Sequence, residues 1–384
     1  MAEVVIAGSN HEKAASRPVL YTGATRRRLD PDLLVPARVR GYCQVVGNIG
    51  ALVVLLVLGG RATAVWQLVL LYVGIGFALH RLFFPLHDCI HYSLFPTKTE
   101  NRAMGALLSA LLGTSFDAIR DQHMAHHRDF ATPEDPGAAD YYVRFQSRGQ
   151  FLRFLLGPLV GSILVKKIGD YVSRPARAVD AAEPDRPVAA KRPKMAGRAI
   201  GYLVILAVQA GVCALLTAGF QVSRLWRYPV LNVLPAVTIF LFLVRMRMFL
   251  EHGPLDDRIC NYFENKRPTA RTIYANWIER VLLCGSDFNF HHEHHLYPVV
   301  PGWQLHRLHR QLMGAGLDTE DVRSSYRVAM AEIWRNLGPS ARDVRKRAAG
   351  GVGGGSRRGD LPALTDAVRA PDAARRPQPG PLQS

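Results

Sequence analysis

Residues Ala64–Leu86 read AVWQLVLLYVGIGFALHRLFFPL, and the chain goes straight on to His87-Asp88-Cys89-Ile90-His91. Only Gln67, His80 and Arg81 interrupt the apolar run. Its length is close to the roughly 20 residues a helix needs to cross the hydrocarbon core of a bilayer. Where the run ends it delivers two histidines four residues apart, a spacing that puts both rings on one helix face. Cys43–Gly60, just upstream, is almost wholly apolar, and a second pair of runs follows at Ile200–Phe220 and Pro229–Val244. The last of these continues to Leu250 through Arg245 and Arg247. Four such runs in two close pairs predict an all-α polytopic membrane protein, with four transmembrane helices in two hairpins spanning about 41–60, 64–86, 199–220 and 229–250.

Two shorter runs, Ala103–Phe116 and Phe151–Ile168, read as re-entrant or interfacial helices. Orientation follows from the flanking arginines and lysines. The stretch before the first span holds Arg26, Arg27, Arg28, Arg38 and Arg40, and the segment between the pairs holds nine more basic residues from Lys166 to Arg198. The short connections at Gly59–Thr63 and Gln221–Tyr228 hold one and two arginines. Both termini are therefore expected in the cytoplasm, at the cell inner membrane, and all three histidine clusters described below on that same side. The net charge of +17 sits in juxtamembrane segments and the tail. It matches attraction to anionic lipid better than binding of nucleic acid. Five cysteines with no CxxC pair suggest neither a disulfide framework nor a thiolate metal site. Residues 1–40 form a polar, basic leader, 41–315 the membrane domain and 316–338 a cytoplasmic helix. In that helix Val322, Tyr326, Met330 and Trp334 are spaced four apart. The Arg-, Gly- and Pro-rich 339–384 is a disordered basic tail.

Two further clusters join the first: His123-Met124-Ala125-His126-His127 and His291-His292-Glu293-His294-His295. The patterns are HxxxH, HxxHH and HxxHH. Neutral imidazole is the commonest metal ligand among side chains. This many nitrogens exceed the three or four a single tetrahedral zinc takes, and suit two metals. Ligand type alone leaves Zn, Cu, Fe and Ni open. Neither HExxH nor HxxEH is satisfied, because position 296 is Leu296 and position 294 is His294.

These boxes, their order and the long apolar gap between the second and third resemble the integral-membrane fatty acid desaturase and hydroxylase superfamily. So do His126-His127-Arg128 followed by Thr132-Pro133-Glu134-Asp135-Pro136, and Asn289-Phe290 leading through the third box to Leu296-Tyr297-Pro298. Leu305, Leu308 and His309 are similar to the helix beyond. The resemblance covers roughly residues 40–315. It implies four spanning helices under a cytoplasmic helical cap, with a non-heme di-iron centre that uses O₂ to abstract hydrogen from an unactivated C–H bond. The implied metal ligands are His87, His91, His123, His126, His127, His291, His294 and His295, with His252 as a further ligand. No catalytic residue is implied beyond these.

His292 points off the His291–His295 face and is left out. His80 reads as a buried histidine bonded to a neighbouring helix, and His306 and His309 as surface or packing residues. A ligating imidazole usually donates its other N–H to a carboxylate or carbonyl. Asp88, Asp121, Asp129, Glu251 and Glu293 lie close enough in sequence to act as such partners. Asp129 stands where relatives frequently carry another histidine. On this resemblance the leading reading is an oxygen-dependent desaturase acting on a fatty acyl chain. The same boxes serve hydroxylases, carotenoid ketolases and enzymes that desaturate small amino-acid-derived natural products. A His-rich metal transporter or sensor is the alternative from another class, and its sites would usually lie at mid-bilayer. No heme or nicotinamide fingerprint is present, so the expected partners are membrane lipid and a separate electron donor, a ferredoxin or a small cytochrome with its reductase.

Overall fold

The computed structural model describes residues 29–130, 132, 134–141, 143, 145, 147–172, 195–253, 270–314 and 322–337. Helices α1 (Arg38–Arg61) and α2 (Val65–Ile90) form the first hairpin, followed by α3 (Lys98–Leu111) and α4 (Phe116–Asp129). Next come α5 (Arg148–Leu156), α6 (Ser162–Val172) and α7 (Met195–Thr217). The fourth apolar segment, Val222–His252, passes through two π-helical stretches at Pro229–Val233 and Ala236–Phe240 into α8 (Leu241–His252). Beyond it lie β1 (Thr272–Ile273), α9 (Trp277–Leu282), α10 (His291–Leu296), α11 (Leu305–Gly314), β2 (Val322–Arg323) and α12 (Tyr326–Asn336). The architecture is all-α, as the apolar runs predicted. Arg38–Arg61, Val65–Ile90, Ala199–Thr217 and Val222–His252 are each long and apolar enough to cross a membrane. Among the described residues the two strands, paired in parallel, are the only sheet.

The spans pack through small residues and leucine. Leu52, Leu56, Ile75, Leu79, Leu82, Val212, Leu216 and Leu231 form one buried cluster shared by all four. At Gly76 a Cβ would overlap the side chain of Ile239, so only glycine lets α2 approach the fourth span this closely. That approach matters downstream, since α2 ends in the first histidine box and α8 ends in His252. The first π-helical stretch begins at Pro229, and Pro235 immediately precedes the second. Proline lacks the N–H for an i→i−4 bond, which favours a locally wider turn.

Several boundaries differ from the sequence reading. Helix α2 does not stop at Leu86 but continues through His87 to Ile90, because leaving the apolar run does not by itself end a helix. The fourth segment is helical from Val222, not Pro229. Ala103–Phe116 is divided: α3 ends, the chain turns at Gly113 with φ of 73°, and Phe116 already starts α4. Helix α3 packs against α2 and α7, where Gln209 Nε2 donates to the Ala110 and Leu111 carbonyls at 2.7 and 3.3 Å. Phe151–Ile168 is likewise broken, at Gly161 with φ of 74°. Val322 lies in a strand, and the buried stripe of α12 is Tyr326, Ala329 and Ile333 instead of the four-residue series expected. Most of the leader (1–28) and the whole tail (339–384) fall outside the described residues.

Candidate metal centre

The first two histidine boxes lie at helix ends, and a side-chain cap starts the helix that carries the second. His87 stands in the last turn of α2 and His91 caps it, one turn on. In α4, Ser115 Oγ accepts from Ala118 N at 3.2 Å, starting a helix that puts His123 and His127 on one face and His126 on the next. The third box forms the short α10, entered by a tight turn in which Ser286 and Asp287 have φ of 53° and 62°. Left-handed backbone costs a non-glycine residue of order 1–3 kcal/mol, and Asp287 is held there from both sides. Its carboxylate takes a hydrogen bond from Arg280 and faces His306 Nδ1 at 2.8 Å.

Two groups of rings result. One nitrogen from each of His87, His91, His123, His127 and His294 lies within 4.8 Å of all the others, and the same holds for His126, His252 and His295. In the first group the Nε2 atoms of His91 and His123, His123 and His127, and His127 and His294 are 2.9, 3.0 and 3.1 Å apart. His291 adjoins the second group, its Nε2 3.0 Å from His252 Nε2. The groups touch through His127 and His295, whose rings stack 4.4 Å apart. All nine histidines named from the sequence are thus brought together from four separate segments.

Burial keeps six of these rings in the ligand form. It pushes His123, His127, His291, His294 and His295 well below the ordinary imidazole range, and neighbouring histidines or Arg247 add to the effect. His91 is pushed down to about 3 by burial first and Arg120 second. In the folded chain these rings bind fewer protons than in the unfolded chain, which takes them up below about pH 6.5. The stability they contribute is therefore full above that pH and is lost progressively as pH falls below it toward the folded values, about 3 for His91. The metal-free protein is expected to melt at steadily lower temperature below about pH 6.5; a flat profile would contradict the burial argument.

The donor set fits a pair of metal ions on two observations. Five imidazoles converge without an acid among them. In the second group, His126 Nε2 and His295 Nε2 are buried with no hydrogen-bond partner among the described residues, which is costly unless something else takes the lone pairs.

The outer partners match the sequence reading only in part. Glu251 Oε2 stands 3.6 Å from His291 Nδ1. Glu293 accepts from Thr272 Oγ1 at 2.7 Å and faces His309 Nδ1 at 2.5 Å, tying the third box to β1 and α11. Asp88 Oδ1 accepts from Gly302 N at 2.9 Å and Ser93 Oγ at 3.3 Å, joining the exits of the first and third boxes. Asp129 pairs with Arg128 at 2.6 Å, and Asp121 is exposed, so neither is brought against a histidine ring. His292 turns away and its Nδ1 faces the Ala270 carbonyl at 3.0 Å. His80 does not bond to a neighbouring helix as expected; both ring nitrogens lack a hydrogen-bond partner among the described residues and its ring meets Phe84 edge-on at 5.1 Å.

Asp135 was missed. Its carboxylate oxygens lie 2.8 and 3.0 Å from His126 Nδ1, while Tyr141 OH and Gly137 N also donate to it. This bond fixes the tautomer that leaves His126 Nε2 bare. Its position in Thr132-Pro133-Glu134-Asp135-Pro136, nine residues past His126, was the available signal. Losing such a partner typically costs about 10–100-fold in metal affinity. Asp135→Asn is expected to weaken metal retention by that factor in competition with a chelator, and unchanged retention would remove Asp135 from the site.

A family model described as fatty acid desaturase matches residues 62–326. Among curated proteins, a fatty acid desaturase from Bacillus subtilis (strain 168) is 21% identical over 286 residues, covering 70% of this chain and 74% of its own. A beta-carotene ketolase from Paracoccus sp. (strain N81106 / MBIC 01143) is 27% identical over 234 residues, covering 58% and 72%. A second beta-carotene ketolase, from Paracoccus sp. (strain PC1), is 26% identical over 233 residues, covering 59% and 72%.

Proposed function

The chain belongs to the fatty acid desaturase family, and on that premise we propose that it is a membrane-bound di-iron oxidoreductase that introduces a C=C bond into a fatty acyl chain. The observation that carries this reading is the pair of touching imidazole groups, assembled where α2 and α8 end. Residues His87, His91, His123, His127 and His294 would hold one iron, and His126, His252, His291 and His295 the other. Bound there, the irons would supply O₂ activation and hydrogen abstraction from an unactivated C–H bond.

The protein's own residues do the rest. Asp135 orients His126 through its contact with Nδ1, and the Glu251 carboxylate lies 3.6 Å from His291 Nδ1. Phe288 and Phe83 wall His87, with ring centroids 4.5 and 5.8 Å away, so that ring is screened from water. In the overall reaction O₂ takes four electrons and becomes two waters; two electrons come from the C–H bonds and two from outside. We infer a separate donor, a ferredoxin or small cytochrome with its reductase, docking on a basic cytoplasmic face. Steered association of that kind weakens as the Debye length falls from about 10 Å at 0.1 M salt to about 3 Å at 1 M. Turnover with purified donor is expected to drop as salt rises, and a flat salt dependence would rule out such docking. In this reading both termini and the iron centre face the cytoplasm from the inner membrane.

A second reading is favoured by the two ketolase relatives: the same centre adding oxygen to a carotenoid or other lipid. Mass spectrometry of total lipids from cells expressing the chain, against His294→Ala, separates the two. An acyl species lacking two hydrogens, made only by the wild type, supports desaturation. Species that gain oxygen support hydroxylation or ketolation. No lipid change, in cells holding iron-loaded protein and a working donor, would overturn both and direct the search to small metabolites.

A further inference from the structure

Outside the four spans, α9 turns an apolar face away from the protein. Trp277, Ile278, Val281 and Leu282 are 74%, 48%, 58% and 41% exposed, and at positions i, i+1, i+4 and i+5 they make a single helix face. The other face is bound to the protein. Glu279 is buried, and its carboxylate accepts from the backbone N–H of Asn276 at 3.1 Å and of Arg327 at 3.0 Å. No described residue covers the apolar face. Four large apolar side chains bared on one short helix mark a contact surface, because a water-facing surface scatters them singly.

Arg81 says which contact. It lies in the spanning helix α2, and its Nη1 donates to the carbonyls of Arg280, Val281 and Cys284 at 3.3, 3.2 and 2.8 Å, closing the C-terminal end of α9. Arg81 stands about 16 residues past Val65, a rise of about 24 Å at ~1.5 Å per residue. The hydrocarbon core is about 30 Å thick. The guanidinium root therefore sits inside that core or at its edge, where an arginine needs protein carbonyls in place of water. Two of those carbonyls, of Arg280 and Val281, belong to α9 and the third, of Cys284, follows its last turn, so the helix hangs at the same depth. Arg280, on its flank, pairs with Asp287 while its side chain stays 55% exposed.

We propose that α9 is an interfacial helix inserted in the bilayer, with Trp277, Ile278, Val281 and Leu282 among the lipid acyl chains. The turn into the third histidine box starts three residues after α9 ends. The lipid contact therefore sets the height of that box above the membrane. This assignment does not depend on which reaction the centre performs.

The test uses the full chain in phosphatidylcholine vesicles with no other protein. It holds five tryptophans, so the Trp277 component is the difference between the wild type and Trp277→Phe, a change on an exposed surface. A ring sunk about 5–10 Å past the headgroups should lose roughly half its emission or more to lipids brominated near the head of the acyl chain. Bromines near the methyl end should quench it less, and aqueous acrylamide little. Quenching by acrylamide and not by bromolipid would overturn the proposal in favour of a water-facing helix. Quenching by neither would overturn it in favour of cover by another part of this chain or a second copy.

Discussion

His294→Ala should strip iron from the protein and abolish turnover, while His292→Ala, two residues away, keeps most of both. His294 carries the third box into the five-histidine group: its Nε2 is 3.1 Å from His127 Nε2, and its ring centroid is 4.4 and 4.9 Å from those of His87 and His91. Helix α10 supplies no other member of that group. Removing it opens the group on the side where α10 meets α2 and α4. Loss of a ligand should exceed the roughly 10–100-fold fall in metal affinity that loss of an outer partner brings. His292 faces the opposite way, toward the Ala270 carbonyl, and deleting that one bond costs about 1 kcal/mol of stability. Metal analysis of the two purified variants, beside their activity, decides the matter. Equal iron loss in both would mean that the facing of α10 has been read wrongly.

The contrast between these neighbours was visible in the sequence because it is local. Spacings of three and four residues state which histidines share a helix face before any tertiary contact is known. The apolar runs state equally well that four helices can cross a bilayer. Long-range pairing was not legible. Tyr326 reaches Glu251 across 75 residues, and nothing in the sequence of α12 marks its tyrosine as different from a core residue. Asp135 was not legible as a partner because it stands nine residues beyond His126 and meets it only where the chain doubles back after α4. Asp121 and Asp129 sit beside the box in sequence, but Asp121 is exposed and Asp129 pairs with Arg128. Helix ends were the other blind spot. Polarity marks where a span leaves the lipid, but hydrogen bonding decides where the helix stops, and at α2 the two differ by a turn that contains His87.

The second large effect is expected at Glu251. Its carboxylate is buried and takes Arg247 Nε at 2.8 Å, Arg247 Nη2 at 2.7 Å and Tyr326 OH at 2.5 Å. Arg247 is also buried, over the ring of Phe84 at 4.8 Å. Glu251→Ala removes one partner of a buried ion pair and leaves the guanidinium uncompensated, a change that typically costs about 3–5 kcal/mol. The variant should melt far below the wild type or fail to accumulate. Glu251→Gln keeps the shape and part of the hydrogen bonding, so it is the variant that reports on the metal. Glu251 stands beside His291 Nδ1, and His291 belongs with His252, not with the five-histidine group. Folded Glu251→Gln should therefore lose iron selectively, toward one ion per chain, while the first group keeps its own. Tyr326→Phe should do the same more weakly, since a hydrogen bond to a charged group contributes about 1.5–3 kcal/mol. Iron counted per folded chain separates this from general damage, because simple unfolding would empty both groups together. A stable Glu251→Gln variant with two irons would show that the carboxylate serves only to neutralise Arg247, and that His291 is oriented by packing alone.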